Sequence, residues 1–273
     1  MQKNHHHLFV FFLLFSPACS AFSEPKQRCL FPNSVETTPA DHQIMQRQTG
    51  QSAPTEAAIG VPSSCNCRHG FPQAFAMDPM PASTGRMNSG LIKLTCPHLV
   101  NAIDALEDEG MISTLSKKME NIEHLQRSAR SIHGEHAQIR KEMIASDHQQ
   151  LGLLKERLGD KGMLAFLNSG VAGSTLDSLD VKCIHAWMGD YLFRFRDEEV
   201  SSSSSSPLGK AISEALAQKG VDQRGTLTCN AYCDYKSILP AAPPNPRNKQ
   251  RLKSRKEVAR RKRKKDGEIT TNE

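Results

Sequence analysis

Apolar residues recur at spacings of three and four from Ile112 to Met143, through Leu115, Met119, Ile122, Leu125, Ala129, Ile132, His136 and Ile139. That period is the signature of an amphipathic helix. Charged residues such as Lys117, Lys118, Glu123, Arg127 and Arg140 occupy positions between. The pattern predicts one long helical arm, or two stacked helices with a break near Gly134, because glycine costs about 1 kcal/mol inside a helix. His136 falls on the apolar stripe and reads as a core residue rather than a ligand. Ahead of the arm, Leu99, Val100, Ile103 and Leu106 give a shorter helix an apolar face. Pro97 opens it after Thr95 or Cys96, and Gly110 ends it. Beyond the arm, Leu151 to Leu158 continue the helical pattern as far as Gly159, and Met163 to Leu167 form a short apolar helix.

Two stretches depart from this picture. Phe71 to Met77 and Leu91 to Thr95 read as short strands, separated by the loop chemistry of Asp78-Pro79-Met80-Pro81 and Asn88-Ser89-Gly90. They are expected to pair as a small hairpin. Val181 to Leu192 is expected as one largely buried helix, capped by Ser178 or Asp180, with Ile184, Trp187, Met188 and Tyr191 turned inward. That helix carries Cys183 and His185. A last helix runs from Pro207 through Ala217 and is closed by Lys219-Gly220. The fold class is therefore mainly α: a small β-hairpin near the start of the domain, packed on a helical bundle with a long central arm or helix pair.

Composition sets the borders. Hydrophobic residues make up 38% of the chain and aromatics 5%, which fits a helical domain between unpatterned flanks. Residues 1–21 hold the apolar run Leu8 to Phe15 followed by small residues at Ala18, Ser20 and Ala21. This is signal-peptide grammar, and the run is too short for a permanent membrane span. The Ala21-Phe22 junction resembles that of bipartite leaders that direct proteins into plastids. Residues 22–63 are expected as a disordered, transit-like segment rich in Ser, Thr, Gln and Pro, although acidic residues there outnumber basic ones. The expected destination is the plastid, with the secretory pathway as the alternative. The domain is placed at 64–236, and 237–273 reads as a Pro-rich linker and a disordered basic tail.

The net charge of +6 hides an asymmetry: twelve Lys/Arg and one acidic residue lie between Arg247 and Lys265, so the remainder carries −5. The tail, with Arg251, Lys253, Arg260, Arg261 and Arg263, is expected to bind phosphates of RNA or of a ribosome without reading sequence. No aromatics interleave its charges, which argues against base stacking.

Of eight cysteines, Cys19 lies in the leader, and an odd number remains for any disulfide framework. Reduced thiols beside histidines fit better. Cys67, Cys96 and Cys183 with His185 would supply a tetrahedral shell for zinc, or thiolates for an iron–sulfur cluster. No Cys-x-x-Cys pair is present. Cys183 and His185, two apart, lie about 200° around a helix, so they share a site only if the helix has just begun. The alternative is that Cys96 and Cys183 are small buried hydrophobes. A thiolate of Cys183 or Cys96 beside His98 or His185 would also make a nucleophile–base pair, with no orienting acid apparent. Lys182, beside Gly170 and Gly173, is expected to bind an anion. The Gly170–Ser174 loop lacks the Gly-Lys-Ser/Thr ending of a phosphate loop. Cys229 and Cys233 read as inert or as a redox-labile pair.

The elements Cys67-Arg68-His69-Gly70-Phe71-Pro72, Leu94-Thr95-Cys96-Pro97-His98-Leu99, Gly170-Val171-Ala172-Gly173 and Val181-Lys182-Cys183-Ile184-His185, in this order, resemble the bacterial domain of unknown function 501 family. The resemblance covers about Cys65 to Gly220. Ser206-Pro207-Leu208-Gly209 stands in place of an Asn-Pro-Val-Gly segment, and Trp187 where members often have histidine. That family has no established activity, so the resemblance implies a domain and a set of marked residues. The expectation for function is a thiol/metal-binding helical module, RNA- or ribosome-associated through its tail. The alternative is a small cysteine- or metal-dependent enzyme acting on an anionic substrate, and whether the chain is an enzyme stays open.

Overall fold

The computed structural model describes residues 31–50, 55–64, 67–81, 85–145, 148–194 and 206–237. Its elements run β1 (Ser34–Glu36), α1 (Pro39–Gln48), β2 (Ala58–Pro62), β3 (Ala74–Met77), β4 (Ile92–Leu94), α2 (Pro97–Asp108), α3 (Met111–Asn121), α4 (Glu123–Ala145), α5 (His148–Leu167), α6 (Ile184–Arg194) and α7 (Pro207–Gln218). The fold is mainly helical with a small sheet near its start, as the periodicity predicts. The leader, the serine run at 201–205 and the basic tail lie outside the described residues.

The hairpin forms between β3 and β4, antiparallel, with Ala74 opposite Leu94, Phe75 opposite Lys93 and Ala76 opposite Ile92. It is half of a larger unit, because β1 and β2 extend it into an antiparallel sheet of order β1-β2-β3-β4. This corrects the expectation of disorder over 22–63, since β1, α1 and β2 all fall inside that range. Thr38 caps α1 by accepting from the Asp41 amide, Asp41 returns a bond to the Thr38 amide at 2.8 Å, and Pro39 takes the first helical position. That is a capping box. Met45, Ala57, Ala58, Val61, Phe75 and Met77 then form a small core of their own on one face of the sheet.

The central arm is two helices, but the break falls elsewhere than expected. Helix α4 passes through Gly134 without interruption, and the chain turns at Ile122 (φ −123°, ψ 101°) between α3 and α4. Burial of Ile132, His133, His136 and Ile139 around Gly134 outweighs the propensity cost of one glycine. At Gly159, by contrast, φ is 65° and α5 does break, as read from the sequence.

Helix α6 lies between the sheet and the other helices. A Cβ on Gly189 would come within 2.6 Å of Ile92 Cγ2, so only glycine allows α6 this close to β4. A Cβ on Gly209 would meet Tyr191 Cβ at 2.3 Å, which sets the contact of α7 with α6. Trp187, Met188, Leu192 and Phe193 fill the space on α6 together with Leu99, Ile103, Ile132 and Ile212. No described helix is long and apolar enough to cross a membrane.

A polar network crosses this core. His136 donates from Nε2 to Asp190 Oδ1 at 2.8 Å, and Arg194 donates from Nε to Asp190 Oδ2 at 2.8 Å and from Nη1 to Glu135 Oε2 at 2.7 Å. Burial disfavours the Asp190 charge, yet the His136 bond and the Arg194 guanidinium hold its carboxyl below the ordinary range. His136 is thus a core residue, as expected, although its buried Nδ1 has no hydrogen-bond partner among the described residues. One turn earlier, His133 Nδ1 accepts from the Val171 amide at 3.1 Å, so its proton sits on Nε2, a buried nitrogen with no hydrogen-bond partner among the described residues. Burial pushes the His133 pKa down from 6.5 to about 4, helped by the neighbouring His136.

A group held neutral in this way makes stability full above pH 6.5 and erodes it as pH falls toward 4, because only the unfolded chain takes up the proton in that window. His133→Asn keeps an acceptor for Val171 and removes the titration. The variant is expected to lose about 1–3 kcal/mol less stability over that acid window than the parent. Urea unfolding at several pH values checks this, and parallel pH profiles for the two proteins would refute it.

Candidate metal centre

On α2, Leu99, Ile103 and Leu106 are buried toward the core. Val100, Asp104 and Glu107 follow each of them by one residue, so they form a second stripe about 100° around the helix. That stripe faces the start of α6. Val181, buried just before it, is fixed by its amide donating to Ser116 Oγ at 3.1 Å. Helix α6 begins at Ile184, so Val181 to Cys183 are not helical, contrary to the single helix expected over Val181–Leu192.

This shorter helix decides the chemistry. Cys183 precedes the first turn, and its sulfur reaches the side that His185 faces. The Cys183 thiol, one His185 ring nitrogen and a Glu107 carboxylate oxygen lie within 4.8 Å of one another. His185 Nδ1 is 3.2 Å from Glu107 Oε1, and its Nε2 is 3.5 Å from Asp104 Oδ1 and 3.4 Å from the Val100 carbonyl. The side chains of Glu107, Asp104 and His185 are 8%, 16% and 20% exposed, so the cluster sits just below the surface. Burial works against the charge on His185, but the Cys183 and Glu107 contacts win and raise it to about 10. Burial likewise opposes the Cys183 thiolate, and His185 with the Ala186 amide brings its pKa below the ordinary thiol value. Cys183 is thus shifted toward the thiolate and His185 toward the imidazolium, beside the carboxyl groups of Glu107 and Asp104.

Cys67 and Cys96 do not join it. Cys96 holds the first end of α2, about 16 Å along the axis from Glu107 at 1.5 Å per residue. The four-residue shell of Cys67, Cys96, Cys183 and His185 is therefore split into two groups. Cys67 and Cys96 instead neighbour Cys233, brought over by the C-terminal segment. That segment is tied down by the Arg68–Asp222 ion pair and by His98 Nε2 against the Asp222 carbonyl at 2.8 Å. Gln48 donates to Cys233 Sγ at 3.4 Å and accepts from Thr95 Oγ1 at 2.5 Å, while Gln73 approaches Cys96 Sγ at 3.8 Å. Burial, then the Cys96, Cys67 and Cys229 thiols, push Cys233 up to about 12. Burial also raises Cys96, although the amides at the start of α2 pull the other way. Cys96 and Cys233 are thus held as protonated thiols, and among the described residues no group of three metal-binding side chains other than Glu107, Cys183 and His185 closes to 4.8 Å.

The anion site expected at Lys182, Gly170 and Gly173 is not formed there. Lys182 Nζ donates to the Gly173 carbonyl at 3.2 Å. The amides of Gly170, Gly173 and Ser174 close the loop on itself, and that of Val171 goes to His133. Gly170 serves packing, since a Cβ there would lie 2.5 Å from His133 Nδ1. Trp187 is likewise core, its ring 5.3 Å from that of His133. Arg251, Lys253, Arg260, Arg261 and Arg263 of the tail, and Cys65, lie outside the described residues.

A family model described as "Protein of unknown function (DUF501)" matches residues 63–205. The chain belongs to this family. No curated protein and no solved structure matches it. The DUF501 match spans β3 to α6 and so contains Asp104, Glu107, Cys183 and His185, together with Cys67 and Cys96, and stops short of Cys229 and Cys233. The two carboxylates were missed in the sequence. Their signal is a pair of acids three apart, each one residue after an inward-facing residue of the helix that follows Cys96-Pro97.

Cys183 should be the most reactive of the described cysteines, because it alone pairs lowered pKa with partial exposure. Iodoacetamide at neutral pH, followed by peptide mass spectrometry, is expected to label Cys183 ahead of Cys96 and Cys233. His185→Gln should slow that labelling, because the group that favours the Cys183 thiolate is lost. Faster labelling of Cys96 or Cys233 would contradict the assignment.

Proposed function

We propose that the protein is a metal-binding helical module whose centre consists of Cys183, His185 and Glu107, with Asp104 as the fourth donor, and whose metal is zinc or a zinc-like divalent ion. The observation that carries this reading is the approach of three donor atoms within 4.8 Å, from α2 and from the segment that enters α6. One thiolate, one imidazole and carboxylate oxygens are the donor types zinc accepts, whereas an iron–sulfur cluster needs several thiolates. Charge supports the same choice. Two carboxylates and a thiol shifted toward its thiolate stand against one imidazolium, a surplus of acidic groups that attracts a cation. Cysteine nucleophilic catalysis on an anionic substrate, the alternative, has the thiolate–imidazolium pair in its favour and this negative field against it.

His185 must lose its proton to ligate a metal, and its pKa is about 10. Affinity is therefore expected to rise with pH below that value, by about 10-fold per unit, with one proton released per metal bound. Elemental analysis of the zinc-incubated full chain should find one zinc. Cys183→Ser or Glu107→Gln should weaken binding by more than the roughly 10–100-fold of an outer-sphere change, while Cys67→Ser and Cys96→Ser retain it. Zinc that follows Cys67 and Cys96 instead, or no bound zinc, would overturn the proposal.

A further inference from the structure

Buried arginines ordinarily face carboxylates. Arg140 on α4, 0% exposed, faces two carbonyls instead: Nη1 donates to Asn88 O at 3.2 Å and Nη2 to Ser89 O at 2.8 Å. Its guanidinium lies over the Phe166 ring, 4.9 Å from the centroid, and burial lowers its pKa to about 10. The effect falls on the loop between β3 and β4. In a planar trans peptide the N–H points opposite to the C=O, and no described peptide bond is cis. With both carbonyls drawn toward Arg140, the amides of Ser89 and Gly90 point the other way. Neither has a hydrogen-bond partner among the described residues.

Ser89 and Gly90 line an open cleft of about 390 Å³, with Arg86, Lys93, Met77 and Met87 around it. Lys93 reaches it because β4 alternates. Ile92 and Leu94 are buried against the helical core, so Lys93 takes the other face, in register with Phe75. Among the described residues, no carboxylate lines the cleft. Asp78, behind the loop, accepts from the Met80 amide at 2.9 Å. Burial and the adjacent Arg86 lower the Lys93 pKa.

We propose that this cleft is a binding site for an oxyanion, carboxylate or phosphate, carried on a small apolar body. The amides of Ser89 and Gly90 with Lys93 and Arg86 receive the charge, and Met77 and Met87 receive the apolar part. Two successive outward amides form an anion-binding concavity of the kind known from backbone nests, and the volume falls in the range of small-molecule sites. The site is separate from the metal centre on α2 and α6. Arg140 acts as a positioning residue that turns the peptides outward.

The test is titration of the ¹⁵N-labelled full chain with inorganic phosphate and with butanoate, at constant ionic strength in chloride. The Ser89 and Gly90 amide signals should move saturably with at least one of them, and the one that saturates identifies the headgroup. Lys93→Met, which keeps length and removes charge, should weaken binding about 10-fold or more while the remaining spectrum stays that of the folded parent. Glu107→Gln should bind the anion as the parent does, which separates this site from the metal centre. Linear, unsaturated shifts with both probes, or equal affinity in Lys93→Met, would overturn the proposal.

Discussion

Asp190 is wholly buried, and its charge persists there because His136 from α4 and Arg194, one turn further along α6, both donate to it. Removing one partner of such a buried pair costs about 3–5 kcal/mol, since the remaining charge is left uncompensated. The cost makes the contact directional. Helix α6 can neither rotate nor slide against α4 without stranding a carboxylate in the core. Gly189, the preceding residue, then touches Ile92 on β4, so the same helix is fixed against the sheet. With its middle held on two sides, the first turn of α6 has one place to go, which is the Val100–Asp104–Glu107 stripe of α2.

From that constraint the two faces of β4 acquire different roles. Its inward residues, Ile92 and Leu94, meet α6 and so belong to the support of the acidic cluster. Its outward residue, Lys93, lines a basic cleft whose wall is pinned by Arg140. The alternation of a three-residue strand thus separates the proposed metal centre from the proposed anion cleft. The thiols of Cys96 and Cys233 lie apart from both in charge state, since burial keeps them protonated.

Much of this architecture is legible in the sequence where a period or a breaker dominates. The β3–β4 hairpin, the start of α2 at Pro97 and the break at Gly159 all follow from short-range rules. The first sheet strands and α1 were hidden by composition: Thr38, Pro39 and Asp41 count toward disorder in bulk but form a capping box in sequence order. The break at Ile122 rather than Gly134 reflects tertiary burial overriding propensity. At the site, Cys183 and His185 were recognisable as residue types, while their juxtaposition depended on a helix beginning at Ile184 instead of Val181. Glu107 and Asp104 sit on the flank of α2 beside its apolar stripe, and only the approach of α6 distinguishes them from other surface acids. The grouping of Cys96 with Cys233 comes from the C-terminal segment folding back, a long-range event with no local signature.

X-ray absorption at the zinc edge of the loaded full chain tests the central claim most directly, because it counts sulfur donors. The account predicts a shell of one sulfur near 2.3 Å and three nitrogen or oxygen donors near 2.0–2.2 Å. A shell of three or four sulfurs would place the metal among Cys67, Cys96 and Cys233, and would contradict a centre formed where α2 meets α6.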